Sequence, residues 1–134
     1  MVWIGCEPIS LEECLQTIGH NVGGAVGDDS EAGALVTFSG IVRGLEGESR
    51  SNSLQYEHYE GMAQREVLAL LAEARSRWPV RRAAIYHRVG SVEVGGSSVI
   101  VAVSAGHRAE AFEAARFLID EIKARVPIWK SAAP

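Results

Sequence analysis

Residues 33–44 read GALVTFSGIVRG, and the alternation inside them decides how this chain builds its sheet. Ala34, Val36, Phe38 and Val42 share one side of a period-two pattern, and Thr37, Ser39 and Arg43 share the other. Successive side chains of a strand point to opposite faces, so this pattern describes a half-buried strand with one face on a core. Working toward the N-terminus, HNVGGAVGDDSEAG (20–33) is a Gly- and Asp-rich loop. Ser10 followed by Glu13 is a capping box that opens a short helix over about 11–19. VWIGC (2–6) reads as a short first strand.

Toward the C-terminus, GLEGESRS (44–51) reads as a flexible polar loop, and NSLQYEHYEG (52–61) as a second strand pairing with the first stretch. Val67, Leu70, Leu71 and Ala74 recur at helical spacing between Met62 and Trp78, and Pro79 stops that helix. RAAIYHRVG (82–90) and SSVIVAVSAG (97–106) are two more strands, joined through turns at Gly90 and Gly95–Gly96, with a short extra strand at Val92–Val94. A last helix covers about Ala109–Arg125. The order β-α-β-β-α-β-β-α sets pairs of strands between helices, which argues for an α+β fold with helices packed on a mostly antiparallel sheet. No glycine fingerprint lies between a strand and a helix, so a dinucleotide fold has no support. The length suits a single domain over residues 1–134.

Charge narrows the function classes. Residues 1–34 hold six acids and no Lys or Arg, so the net charge of −4 leaves the rest of the chain slightly basic. That excludes a strongly basic nucleic-acid footprint and leaves room for a local cationic pocket. No apolar run approaches the ~20 residues of a membrane helix, and no basic region precedes the short apolar start, so the expected location is the cytoplasm. His20, His58 and His87 lack metal-ligand spacing, and Cys6 and Cys14 form no C-x-x-C pair. No metal or cofactor is expected. The acidic neighbours Glu7, Glu12 and Glu13 would raise the thiol pKa values, so both cysteines read as packing residues.

The chain holds two lysines, Lys123 and Lys130, while every other fixed cation is an arginine. On a helical wheel Phe112, Ala115, Ile119 and Ile122 form the apolar stripe of the last helix, and Lys123 lies about 20° from Phe112 at its edge. Two readings fit: a lysine snorkelling from the stripe, or an amine in a partly apolar cleft available for proton transfer. Pro127 clashes with the carbonyl of Lys123, ends the helix near Arg125 and leaves Lys130 on an irregular segment. That segment is either a frayed cationic tail or a piece folded back toward Lys123, pinned by Trp129. At the other end of the helix His107 and Arg108 stand where unpaired N–H groups and partial positive charge collect. They make an anion site or merely a solvated arginine beside a capping histidine. Arg43 ends its strand on the polar face and gains weight if it reaches the same cleft.

GALVTFSGIVRG, LQYEHYEGMA, ARSRWPVRRAAIYHRVGSVEVG and SAGHRAEAFEAARFLIDEIKARVPIWK together resemble the large, catalytic subunit of molybdopterin synthase, across roughly residues 33–130. The resemblance implies an α/β hammerhead fold. It implies an enzyme that builds the dithiolene of molybdopterin on cyclic pyranopterin monophosphate. Sulfur arrives as a thiocarboxylate on the C-terminal glycine of a small ubiquitin-like partner subunit. The implied assembly is a central homodimer of large subunits within a heterotetramer. The implied site residues are Lys123 as main catalytic group, either moving protons on the pterin side chain or assisting thiocarboxylate attack, Lys130 stabilising developing charge, and Arg43, His107 and Arg108 on the substrate phosphate. Ser131 and Ala132 stand where relatives carry a basic residue and an acid, and Ile41 where they often carry a basic one. A non-catalytic module binding a phosphorylated small molecule and a purely structural subunit are the competing readings.

Overall fold

The computed structural model describes residues 1–20, 27–46, 49–50 and 53–131. In chain order the elements are β1 (Val2–Gly5), α1 (Leu11–Gln16), β2 (Ala34–Ile41), β3 (Leu45–Glu46), β4 (Ser49–Arg50) and β5 (Ser53–His58). Then follow α2 (Met62–Arg77), β6 (Val80–Arg88), β7 (Gly90–Glu93), β8 (Ser97–Ala105), α3 (Arg108–Arg125) and β9 (Ile128–Ser131). The main sheet has the order β1-β6-β8-β2 and is antiparallel except for the β1–β6 pair. A second, three-stranded sheet has the order β7-β5-β9 and is antiparallel throughout. The fold is therefore α+β and mostly antiparallel, as the order of elements in the sequence implies.

Local chemistry sets the element ends. Ser10 accepts a hydrogen bond from the Glu13 backbone N–H at 3.1 Å, capping α1. The Ser10 half of the expected capping box thus forms, and α1 ends at Gln16, earlier than 19. Trp78 and Val126, each followed by a proline, are extended, which terminates α2 and α3. Proline disfavours the helical region for the residue before it. Gly90 and Gly95 have φ of 80° and 86°, the left-handed conformation needed to turn between β6, β7 and β8.

The core has two layers about the main sheet. Leu70, Leu118, Ile85, Val101 and Val103 pack α2 and α3 on one face. Cys14, Ile18, Tyr86, Ile100 and Ala102 pack α1 on the other. Alternate residues of β8 thus enter different clusters, and β8 is buried on both faces. Burial raises the Cys14 thiol to about 11, so burial and not the acidic neighbours keeps it protonated. A third cluster, Val42, Leu54, Tyr56, Val89 and Val92, lies under the smaller sheet.

Three expectations change. The strand at 52–61 does not pair with 33–44. Its core, β5, has both edges occupied by β7 and β9, while β2 pairs with β8. The face of 33–44 is not continuous either. Register slips between Gly40 and Ile41, so Val36 packs on the main core and Val42 joins the third cluster. In the segment expected to be a loop, Leu45–Glu46 and Ser49–Arg50 pair as two short antiparallel strands. Residues 47–48 and 51 of that stretch, residue 52 of the strand expected after it, 21–26 of the Gly- and Asp-rich loop, and Ala132 lie outside the described residues.

Candidate functional site

Lys123 occupies the last turn of α3, and Lys130 does not sit on an irregular segment. Residues 128–131 form β9, because β5 offers an open edge and Ile128–Ser131 pairs along it. Lys130 stands opposite Tyr56, and Trp129 opposite Glu57. The turn is fixed from both sides. The Tyr59 N–H donates to the Pro127 carbonyl at 3.1 Å, and the Trp129 ring lies 5.1 Å from the Tyr59 ring. Trp129 thus pins the segment as expected, through an aromatic contact that leaves it partly exposed.

The two lysines face one pocket of about 250 Å³, lined by Tyr56, His87, Ile122, Lys123, Ile128 and Lys130. Both lysines are exposed at its mouth, and Tyr56 and His87 are buried. His87 and Tyr56 are the residues that sequence reasoning missed here. The available signal was a histidine inside an otherwise apolar strand, AAIYHRVG, but its depth depends on β6 lying inside the main sheet. The His87 ring meets Tyr56 edge-on at 5.7 Å between centroids. Burial, and then the neighbouring Lys123 and His58, pulls its pKa down to about 4.

Phe112 does not belong to the buried stripe of α3. It is 62% exposed, and Ala111, Ala114, Ala115, Leu118, Ile119 and Ile122 face the core instead. Phe112 faces an apolar groove of about 350 Å³ with Val36, Phe38, Ala115 and Ile119, beside the open edge of β2.

His107 is the N-cap of α3 and Arg108 its first residue. They line a second pocket of about 450 Å³ with Gly33, Gly106 and Ala109. The His107 side chain makes no capping hydrogen bond, and both side chains are exposed. Gly33 approaches the Gly106 carbonyl so closely that a side chain there would collide with backbone. Partial positive charge at the helix start and the two side chains together suit an anion.

The five expected site residues do not share one cleft within a single chain. His107 and Lys123 stand at opposite ends of α3, about 24 Å apart along its axis. Arg43 belongs to the lysine end. β2 runs from Ala34 beside Ala105 to Ile41 beside Ser97, and α3 runs back along that direction. Val42, next to Arg43, packs in one cluster with Tyr56 and Ile128. Among the described residues no group of His, Cys, Asp and Glu could hold a metal ion, and no helix is long and apolar enough to cross a membrane.

Fold and side chains define an α+β protein with two cationic pockets at opposite ends of one helix. The chain belongs to the MoaE protein family, whose model matches residues 4–125. It is 51% identical over 102 residues to a molybdopterin synthase catalytic subunit of Oryza sativa subsp. indica, covering 76% of this chain and 53% of the relative. It therefore spans about half the length of that relative. It is 45% identical over 124 residues to a protein of the same name from a Nostoc species, covering 92% of this chain and 70% of the relative. Its fold matches the crystal structure of molybdopterin synthase from Staphylococcus aureus with a TM-score of 0.83 at 32% identity, over 96% of this chain and 87% of that one. The molybdopterin cofactor biosynthesis protein E of Burkholderia multivorans gives a TM-score of 0.82 at 32% identity, over 99% and 82%.

Proposed function

We propose that this chain is the catalytic subunit of a molybdopterin synthase, acting in the cytoplasm as a single domain over residues 1–134. It transfers sulfur from the thiocarboxylated C-terminal glycine of a small ubiquitin-like partner to cyclic pyranopterin monophosphate, forming the dithiolene of molybdopterin. The observation that carries the reading is the joint presence of Lys123 and Lys130 in one pocket of a chain of this family. A lysine differs from an arginine in having a proton that can leave, and these are the two lysines of the chain.

In this mechanism Lys123 exchanges protons with the pterin side chain as sulfur is added. Lys130 stabilises the negative charge that develops on the reacting atoms. Arg43 draws the substrate phosphate toward the lysine end. His107 and Arg108 complete the phosphate site from a second copy of the chain, since one copy holds them about 24 Å from its own Lys123. Two copies related by a two-fold axis supply both ends twice, giving a homodimer with a small subunit for each site. The exposed apolar residues Leu35, Phe38, Ile41 and Phe112 provide surface that a second copy would cover.

The test mixes the protein with cyclic pyranopterin monophosphate and the thiocarboxylated partner and follows the fluorescent oxidation product of molybdopterin. The wild type forms product. Lys123→Ala loses about 10²-fold or more of the rate, the scale of a lost acid–base group. No product from the wild type, with the pterin still bound, would establish the competing reading of a non-catalytic binding module. A variant as active as the wild type would remove Lys123 from the chemistry.

A further inference from the structure

The two exposed lysines at the mouth of the pocket are donors. A lysine ammonium offers three N–H groups and accepts nothing. The floor is different. His87 Nδ1 lies 2.9 Å from the Arg88 carbonyl oxygen, which can only accept, so Nδ1 carries the proton. In a neutral ring Nε2 then holds a lone pair. We propose that His87 is a specificity-determining residue of this pocket, its Nε2 accepting a hydrogen bond from a ring N–H of the bound pterin while the lysines face the anionic part of the substrate. This inference rests on the function proposed above.

The surroundings keep the ring an acceptor. Lys123 of α3, Lys130 of β9 and Tyr56 of β5 line the pocket with it, and His58 of β5 adds a further repulsion against protonation. Ile4 of β1 and Val99 of β8, the residues paired with His87 across the sheet, are apolar. Arg88 on the same strand is engaged elsewhere, with Glu93 at 3.0 Å and the Cys6 carbonyl at 3.4 Å. Among the described residues no carboxylate acts on the ring to favour its charged form. Burial and the lysine ammonium both act against that form, and the ring stays neutral through the physiological range.

The chemical consequence is a two-part recognition rule. An anion satisfies the lysines, but only a ligand that also carries an N–H or O–H donor satisfies Nε2. A pterin ring system carries such donors. The thiocarboxylate group of a peptide tail only accepts, and the one donor beside it is the backbone N–H of the terminal glycine. His87 is thus assigned to the pterin, and the kinetic comparison of the two substrates tests that assignment.

The experiment compares the wild type with His87→Phe, which keeps an aromatic ring and removes the acceptor, and with His87→Gln, which restores an acceptor oxygen near the Nε2 position. Thermal unfolding first confirms that each variant is folded. The expected result for His87→Phe is a KM for cyclic pyranopterin monophosphate raised about tenfold or more, on the scale of a buried donor left unpaired. The KM for the thiocarboxylated partner stays within about twofold, and His87→Gln recovers most of the pterin loss. Nitrogen-15 spectra of the ligand-free protein are expected to show Nε2 unprotonated at neutral pH. A folded His87→Phe with an unchanged pterin KM, or equal losses for pterin and partner, would overturn the assignment. A proton found on Nε2 would overturn it without any substrate. A wild type that makes no product refutes the proposed function, and the pterin contact falls with it, whereas the nitrogen-15 result stands by itself.

Discussion

Lys130 stands directly opposite Tyr56 in the antiparallel β5–β9 pair. That pairing ties the position of a cation near the chain end to a buried residue of the third cluster, and through it to the floor of the lysine pocket. The lysine head is exposed while the backbone beneath it is held by the ladder. Removing the head should therefore separate activity from stability. Lys130→Ala is expected to fall at least about tenfold in product formation while its unfolding free energy moves by no more than about 0.5 kcal/mol. Activity assays beside chemical denaturation check this, and a large stability loss would assign Lys130 a structural role.

A site shared between two copies makes a sharper prediction. Lys123→Ala and Arg108→Ala are each expected to be inactive alone. Unfolded together and refolded as a mixture, they form hybrid dimers in which one of the two sites has all its groups. Random pairing then restores about a quarter of the wild-type activity, half of the dimers being hybrids with half of their sites intact. A mixture that remains inactive although hybrids form would mean that each chain builds its own site.

Gly33 tests the anion end. Its N–H donates to the Ala105 carbonyl at 2.9 Å, and its Cα faces the Gly106 carbonyl with no room for a side chain. Gly33→Ala must push β2 away from the start of α3. The expected outcome is a loss of at least about 1 kcal/mol in stability and weaker binding of inorganic phosphate by titration calorimetry. An unperturbed variant would show that this junction gives way easily.

The buried His87 gives stability a pH dependence of defined sign. Its folded pKa is about 4, below the ordinary 6.5, so between these values the unfolded chain binds the extra proton. Stability is full above the ordinary value, declines as pH falls toward 4, and levels off below it, a change of ~3 kcal/mol. Asp29 and Glu73, held below the usual carboxylate range by hydrogen bonds from Arg81 and Arg125, and Glu93, held below it first by its own backbone N–H and then by the Arg88 side chain, also lose stabilisation in acid. The difference between wild type and His87→Gln isolates the histidine. Denaturation curves from pH 7 to 4 should be flatter for the variant, and parallel curves would show that His87 is not the group responsible.

The sequence by itself determined the elements and their chemistry. Period-two alternation marked β2, the Ser10–Glu13 cap marked α1, and prolines 79 and 127 marked where α2 and α3 end, because these signals act over a few residues. It also singled out Lys123, Lys130, His107, Arg108 and Arg43 by residue type and position along one helix and one strand. Which strands pair was decided only by the tertiary structure. β5 lies between β7 and β9, and β9 becomes a strand because an open edge is there to receive it. A backbone ladder depends on partners distant in sequence, and local pattern does not name them. Depth was decided in the same way. Phe112 is exposed and His87 buried because of what packs beside them, and the length of α3 keeps the two cationic ends apart in one chain.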